Sequence, residues 1–547
     1  MRSRVSDGRP AICHEASRWS YDEYVGECAA RAAFLLAQRS DGPFHIGVLL
    51  DVVPEYSMWL GAAALAGAVV VGINPTRRGT ELAGDVRHTD CQLMVTDGIG
   101  AALLEEADLG PLASGDRVIV VDGAAWSERL ASFTGAGLSD VAVEVDESTP
   151  FALIFTSGTT AGQSKAVRWS QGHLAFVGAK VAEINQLDAD DVCYSTMPLL
   201  HSNGLQCGWT APLAVGATIA LRRKFSASMF LDDVRRYRAT YFNYIGKALA
   251  YVLTTPAGPD DADNPLRRGF GNEAADVDIK AFEERFACSI KDGYGSTEGG
   301  MSISRVPGMP PGALGVAPDG VKVVDPATGT ECVVARFAPS GALLNASEAI
   351  GEMVNTNGRG PFEGYYRNEQ ADDDKLRNGW FWSGDLGYRD ENGFFYFAGR
   401  SYDWIRVDGE NFSAGPLERI IGRAPDVAVA SVYGVPDAET GDQVMVTLLM
   451  RDGVAFDPDG FARFLEQEPA LGTKWVPRFV RVTSGLPITV TNKVLKRQLR
   501  SERWECDDPV WWRPGRGMDY VRFTDQDRVA LTRRFVDRGL GHVLEHV

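Results

Sequence analysis

The sequence predicts an α/β protein, with a large N-terminal multi-subdomain α/β region containing a β-rich part, followed by a small, mobile α+β C-terminal domain. Three observations lead there. The first half alternates apolar residues at helical spacing with short strand-like runs, the signature of helices interleaved with largely parallel strands. From about Pro307 to Arg400 the chain turns rich in glycine and turn residues. After Arg400 the order reads strand, strand, helix, strand. At 547 residues, 45% of them hydrophobic, the chain can bury a sizeable core and is longer than one domain usually is.

Taken in order, YDEYVGECAARAAFLLAQR reads as a helix and FHIGVLLDV as the strand after it. The alternation returns in SMWLGAAALAGAVVVGINP and CQLMVTD, and again in DRVIVVDG. FALIF, at 151–155, reads as a buried strand that ends where a hydroxyl-rich loop begins. The runs GVKVVD, GEMVN and GFFYFAG predict β-hairpins in the glycine-rich stretch. Beyond it come VAVASVYGVPD, QVMVTLLM, FARFLEQE and RFVRVTS. A boundary near Arg400 divides the chain into residues 1–399 and 400–547.

Composition excludes several classes. With 73 acidic against 55 basic residues the formal charge is −18, which opposes nonspecific attraction to nucleic acid or an anionic bilayer. The polar start MRSRVSDGRPAICHEASRWS has no signal-peptide core, and no apolar run reaches about 18 residues. A cytoplasmic protein without a transmembrane segment is expected. The eight cysteines (Cys13, Cys28, Cys91, Cys193, Cys207, Cys288, Cys332, Cys506) are scattered without a CxxC pair, as reduced structural thiols would be.

The stretch FTSGTTAGQSKAV, 155–167, packs two glycines, five hydroxyl residues and one lysine into thirteen positions. Such a loop leaving a strand can aim N–H groups and hydroxyls at phosphate oxygens. It can equally be a solvated turn. A P-loop is ruled out, because GxxxxGK[ST] fails at Gln163, five positions after Gly158.

Four elements in order settle the loop's reading. TSGTTAGQSK, YGSTEGG (294–300), WSGDLGYRDENGFFYFAGR (382–400) and LPITVTNKVLKRQLR (486–500) together resemble the adenylate-forming superfamily of acyl-CoA synthetases, luciferases and peptide-synthetase adenylation domains. YFNYIGKALAYVL, FGNEAA and RVDGENFSAGPLE resemble the long-chain and very-long-chain branch of the fatty acid transport protein type.

The resemblance implies an acid–thiol ligase. A carboxylate and ATP give acyl-AMP and pyrophosphate, then coenzyme A gives acyl-CoA and AMP, with Mg²⁺ on the phosphates. It implies Thr156, Ser157, Gly158, Thr159 and Thr160 at the β- and γ-phosphates and Thr297 at the α-phosphate, with Lys165, Gly295 and Ser296 also binding the nucleotide. Glu298 and Thr160 would serve the metal. Tyr294 would lie against the adenine, with the backbone of Gly271 and Asn272 on the other side. Asp385 would accept the ribose hydroxyls and Arg400 would contact the ribose or phosphates. Lys493 would bridge the carboxylate and α-phosphate, with His201 near the carboxylate. Tyr402 and Asp403 fall at the hinge, and Gly409 would line the thiol tunnel after the C-terminal domain swings. Trp209, Tyr244, Gly299 and Gly300 would wall the acyl pocket or belong to the core.

The expected substrate is a long apolar acid, straight-chain or sterol-derived, met at a membrane edge or from a carrier. Peripheral membrane contact and a homodimer stay open. So do two other readings, a fatty acyl-AMP ligase serving a carrier protein and a non-catalytic acyl or nucleotide sensor. The sequence departs from the family pattern at Ala161, Gln163 and Ser164, at Asn492 and at Tyr402.

Overall fold

A computed structural model of the chain describes residues 6–538 except 114–115, 142, 161–162, 339–342, 401–403, 408–409, 439–440, 469–470, 472–474, 490–492 and 516, together with 540 and 544. Its order follows the expected alternation. Ser20 opens the helix Tyr21–Gln38 with a capping box: its hydroxyl accepts from the Glu23 N–H, while the Glu23 carboxylate accepts from the Ser20 N–H. The helix Pro54–Ala66 begins on proline, where no N–H is needed, and ends at Gly67 with φ of 67°.

Two largely parallel sheets dominate the N-terminal region. The six-stranded one runs Val118–Val120, Cys91–Thr96, His45–Leu49, Val69–Gly72, Pro150–Thr160, with Gln163–Ser170 antiparallel at its edge. The eight-stranded one runs Ser302–Ser304, Ser289–Gly295, Arg268–Asn272, Tyr241–Ile245, Val192–Ser195, Thr218–Leu221, Pro10–His14, Ser17–Ser20, antiparallel only at its two edges. The glycine-rich stretch forms a four-stranded antiparallel sheet, Val321–Val324, Gly351–Asn355, Phe381–Arg389 and Phe395–Arg400. One buried cluster joins all three: Ile12 and Ile219, Ile46 and Ile154, Met353 and Phe381 belong to it.

The small C-terminal domain is α+β, as expected. Val427–Asp437, Gly441–Met450 and Phe479–Thr483 lie in a seven-stranded sheet, and Pro458–Gln467 is a helix. Alternation along its strands feeds two cores. Val432, Val444 and Val446 enter one, and Tyr433 and Met445 enter another with Trp504, Phe523 and Phe535 from the chain's tail. No helix among the described residues is long and apolar enough to cross a membrane.

One expectation is corrected. The strand beginning at Pro150 does not stop at Phe155 but continues to Thr160 and pairs back with Gln163–Ser170. Thr156 lies opposite Lys165, Thr159 opposite Ser164 and Thr160 opposite Gln163. The hydroxyl-rich stretch is thus the distal part of a hairpin, because ladder pairing satisfies backbone groups that an open loop would leave to solvent.

Candidate active site

The C-terminal ends of the parallel strands converge where the hairpin meets the loop after Ser289–Gly295. Of the hydroxyl-rich stretch, Ser157, Gly158, Thr159 and Thr160 are described by backbone alone; Thr156 and Lys165 are described fully. The Lys165 ammonium stands 5.5 Å from the centre of the Tyr365 ring. The Tyr365 hydroxyl donates to Glu298 Oε1 at 2.8 Å. Burial and the neighbouring Glu298 both raise the Tyr365 pKa, so the phenol stays a neutral donor. Tyr365 therefore ties the hairpin to the loop, and no motif had singled it out.

Tyr294 sits near the end of its strand and donates its hydroxyl to Asp385 Oδ2 at 2.6 Å. Asp385 is buried in Phe381–Arg389 and lies in register with Arg400, whose backbone alone is described. The Thr297 carbonyl accepts from the Trp169 indole at 3.1 Å, and its hydroxyl lies 3.3 Å from that of Ser202. Ser296 Oγ is buried with no hydrogen-bond partner among the described residues. Gly299 has φ of +70° and faces His173, which stacks on Trp169; Gly300 packs so tightly on Phe381 that a Cβ there would collide with the ring.

Across the eight-stranded sheet, Gly271 packs against Tyr244, whose carbonyl and ring leave no room for a Cβ. Asn272 donates to the Gly293 carbonyl at 2.6 Å, binding the two strand ends together. The Tyr244 hydroxyl and the Ala274 N–H both donate to Asp292 Oδ2, at 2.8 and 3.1 Å. Burial pushes the Asp292 carboxyl up to about 7.

His201 precedes a π-helix, Gly204–Thr210. Its Nε2 is buried without a partner among the described residues, and burial, with the charge of Lys493, holds the imidazole down at about 3, so it is neutral at physiological pH. The π-helix carries Gly208 against Ser195 Oγ, where a Cβ would collide. It also carries Trp209, whose indole N–H donates to Ser57 Oγ at 2.9 Å and to Tyr24 at 3.1 Å inside the main core, stacked on Phe151.

The C-terminal domain contributes Lys493. Residues 487–489 pair with 493–495, with Thr489 donating its N–H to the Lys493 carbonyl at 2.7 Å and Ile488 bridged to Val494. The Lys493 ammonium reaches Glu273 Oε1 at 2.5 Å. Tyr402, Asp403, Gly409 and Asn492 lie outside the described residues.

The structure thus brings Tyr294 to Asp385, Glu298 to Lys165 through Tyr365, Thr297 to the His201 segment, and Lys493 to Glu273. Besides Tyr365, sequence reasoning missed Glu273 and Asp292. FGNEAA did draw attention to the right segment, but the partners lie 220 and 48 residues away in the chain. The arrangement offers cations and donors for phosphates, a carboxylate for a sugar diol, one carboxylate for a divalent ion and a movable ammonium. A single carboxylate suits Mg²⁺ arriving with a nucleotide, since that ion keeps few protein ligands and takes phosphate oxygens. Among the described residues no cluster of three or more His, Cys, Asp or Glu could hold a metal without the nucleotide.

The family model for AMP-binding enzyme matches residues 2–366, and that for the AMP-binding enzyme C-terminal domain matches 417–493. The steroid-22-oyl-CoA synthetase of Rhodococcus jostii (strain RHA1) is 51% identical over 98% of this chain and 96% of its own length. The medium/long-chain-fatty-acid–CoA ligase FadD17 of Mycobacterium tuberculosis (strain ATCC 25618 / H37Rv) is 48% identical over 91% of this chain and 95% of its own. ATP-bound MatB from Rhodopseudomonas palustris shares the fold, with a TM-score of 0.76 at 24% identity over 90% of this chain and 96% of that one.

Proposed function

The chain belongs to the AMP-binding enzyme family, and on that premise we propose that it is an ATP-dependent acyl-CoA synthetase. It converts a long apolar carboxylic acid, with sterol side-chain acids foremost, to the acyl adenylate and then to the CoA thioester. ATP, Mg²⁺ and coenzyme A are the other participants. The reading is carried by one observation: Lys493, from the small domain, pairs with Glu273 of the large region, and its charge is felt by His201.

A carboxylate is a poor electrophile, and two anions must meet before it becomes a better one. Lys493 offsets that charge between the acyl carboxylate and the α-phosphate, where it builds in the transition state. Neutral His201 lends a polar group to the carboxylate without competing for it. Thr156 to Thr160 and Lys165 receive the β- and γ-phosphates, and Gly295, Ser296 and Thr297 the α-phosphate. Ser296 Oγ is free to turn to a phosphate oxygen. Glu298, with Thr160, would hold Mg²⁺, which when bound supplies neutralisation of the phosphates. Tyr294 gives up its bond to Asp385 as the adenine takes its face and the ribose hydroxyls take the carboxylate; Arg400 contacts the ribose or phosphates.

In this reading residues 1–399 and 400–547 move as two bodies about Tyr402 and Asp403. Rotation withdraws Lys493 and brings Gly409 to the thiol side, so that one site serves two half-reactions. Gly271, Asn272, Tyr244, Gly299, Gly300 and Trp209 shape the adenine and acyl walls. The enzyme works in the cytoplasm, taking its acid from a membrane edge or a carrier. The steroid-22-oyl-CoA synthetase relative supports the sterol-derived substrate, and the fatty-acid ligase relative the long chain.

Mass spectrometry of products tests this, using purified protein, Mg-ATP and a panel of medium-chain, long-chain and sterol side-chain acids with and without CoA. Acyl-CoA, AMP and pyrophosphate are expected, with the sterol acids turned over fastest. ADP and phosphate, or acyl-AMP that persists despite CoA, would overturn the reading.

A further inference from the structure

Glu273 occupies a position that its own backbone disfavours. Its φ is +71°, in the left-handed region where glycine is at ease and a side chain is strained. It follows Asn272, the last residue of the strand that carries the proposed adenine wall. Strain held at such a place points to a use for the side chain, and the use is visible: the carboxylate takes the Lys493 ammonium at 2.5 Å, across 220 residues of chain.

We propose that Glu273 is a positioning residue that holds Lys493 over the site before substrates arrive, and hands it to the acyl carboxylate and α-phosphate when they bind. The proposal rests on the role given to Lys493 above. Three features suit a transferable hold. The ion pair keeps Lys493 40% and Glu273 50% exposed, so its net attraction is small and substrate anions can replace it. His201, whose charge state Lys493 also influences, has no partner at Nε2 among the described residues and stays neutral, so it does not repel the lysine. The lysine is joined to Thr489 by a backbone bond, and Leu495 to Pro487 by another, so holding Lys493 also holds Pro487–Thr489 beside it. No covalent step is involved, only an exchange of one carboxylate for another at the same ammonium.

Three variants and four measurements test this. Glu273→Gln keeps size and hydrogen bonding but removes the charge; Glu273→Gly removes both charge and strain; Glu273→Asp keeps the charge. ATP–pyrophosphate exchange reads adenylation, and thioester formation from supplied acyl-AMP reads the second half-reaction. Adenylation is expected to fall about three- to tenfold in both E273Q and E273G, with thioester formation within about twofold of the parent. E273G should melt within a few degrees of the parent, which separates the loss of charge from loss of fold, and E273D should recover part of the adenylation. Hydrogen exchange of the segment 486–500 in the substrate-free enzyme should quicken in E273Q and E273G and not in E273D. Equal losses in both half-reactions, or unaltered exchange in that segment, would overturn the role of Glu273. Should the parent adenylate no acid at all, the synthetase reading fails by itself, and the exchange measurement still decides whether Glu273 holds Lys493.

Discussion

Asp385 and Glu298 stand in the large N-terminal region, each accepting a tyrosine hydroxyl from an element packed into the sheets, whereas Lys493 stands on the small domain and shares a half-solvated contact with Glu273. Asp385 and both tyrosines sit on strands or strand-bridged backbone, so these groups stay with the large region whether or not a ligand replaces a hydroxyl at the carboxylate. The ammonium can change partners at little cost. A site that must grip one nucleotide through two different chemical steps benefits from fixed anions and a removable cation.

The sharpest way to break this contrast is Lys493→Ala. Adenylation should fall on the order of 10³-fold while thioester formation from supplied acyl-AMP stays within about twofold; equal loss in both would show that the lysine is no more removable than the carboxylates. Asp385→Ala should do the opposite, raising the ATP KM about 10- to 100-fold and weakening both half-reactions, since each binds the same ribose. Tyr365→Phe leaves Glu298 without its donor, and adenylation should drop about three- to tenfold, with the Mg²⁺ concentration for half-maximal rate moved upward.

The smallest effect is on stability. Asp292 is held up at about 7 by burial, against an ordinary value of 3.8, so the folded chain keeps a proton that the unfolded chain releases. The stability this contributes is complete below about pH 4 and is lost as pH rises through 7, with a slope approaching about 1.4 kcal/mol per pH unit between those values. Asp292→Asn can still accept from Tyr244 and the Ala274 N–H. Thermal melts from pH 4.5 to 7.5 should show a shallower decline for the variant, and parallel curves would mean that Asp292 is ionised in the fold.

The sequence made much of this legible, for definable reasons. Helix and strand alternation is written locally, which is why the order of elements agrees from Tyr21–Gln38 to Phe479–Thr483. Tyr294 and Asp385, 91 positions apart, could be paired only because each sits in a recognisable string. Tyr365 could not, since GYYR carries no chemistry until Glu298 is placed beside it. The hairpin that replaced the expected open loop depends on Gln163–Ser170 turning back to pair, and pairing between strands is not a property of either strand alone. Glu273 was overlooked for the same reason: the sign of its φ and its partner on the other domain are facts of tertiary structure.

The π-helix after His201 sets a constraint of another kind. A stretch wound with five residues between donor and acceptor has one more residue than the α-helix it would otherwise be. Were it to relax to α-helical winding with its length unchanged, all that precedes it would turn by about 100° relative to Trp209. His201 would then face a different wall, while Trp209 stayed anchored to Tyr24 and Ser57. A substitution here that favours α-helical winding would thus act on His201 from several residues away, and laboratory libraries that vary the acyl side should leave Gly204 to Thr210 unaltered.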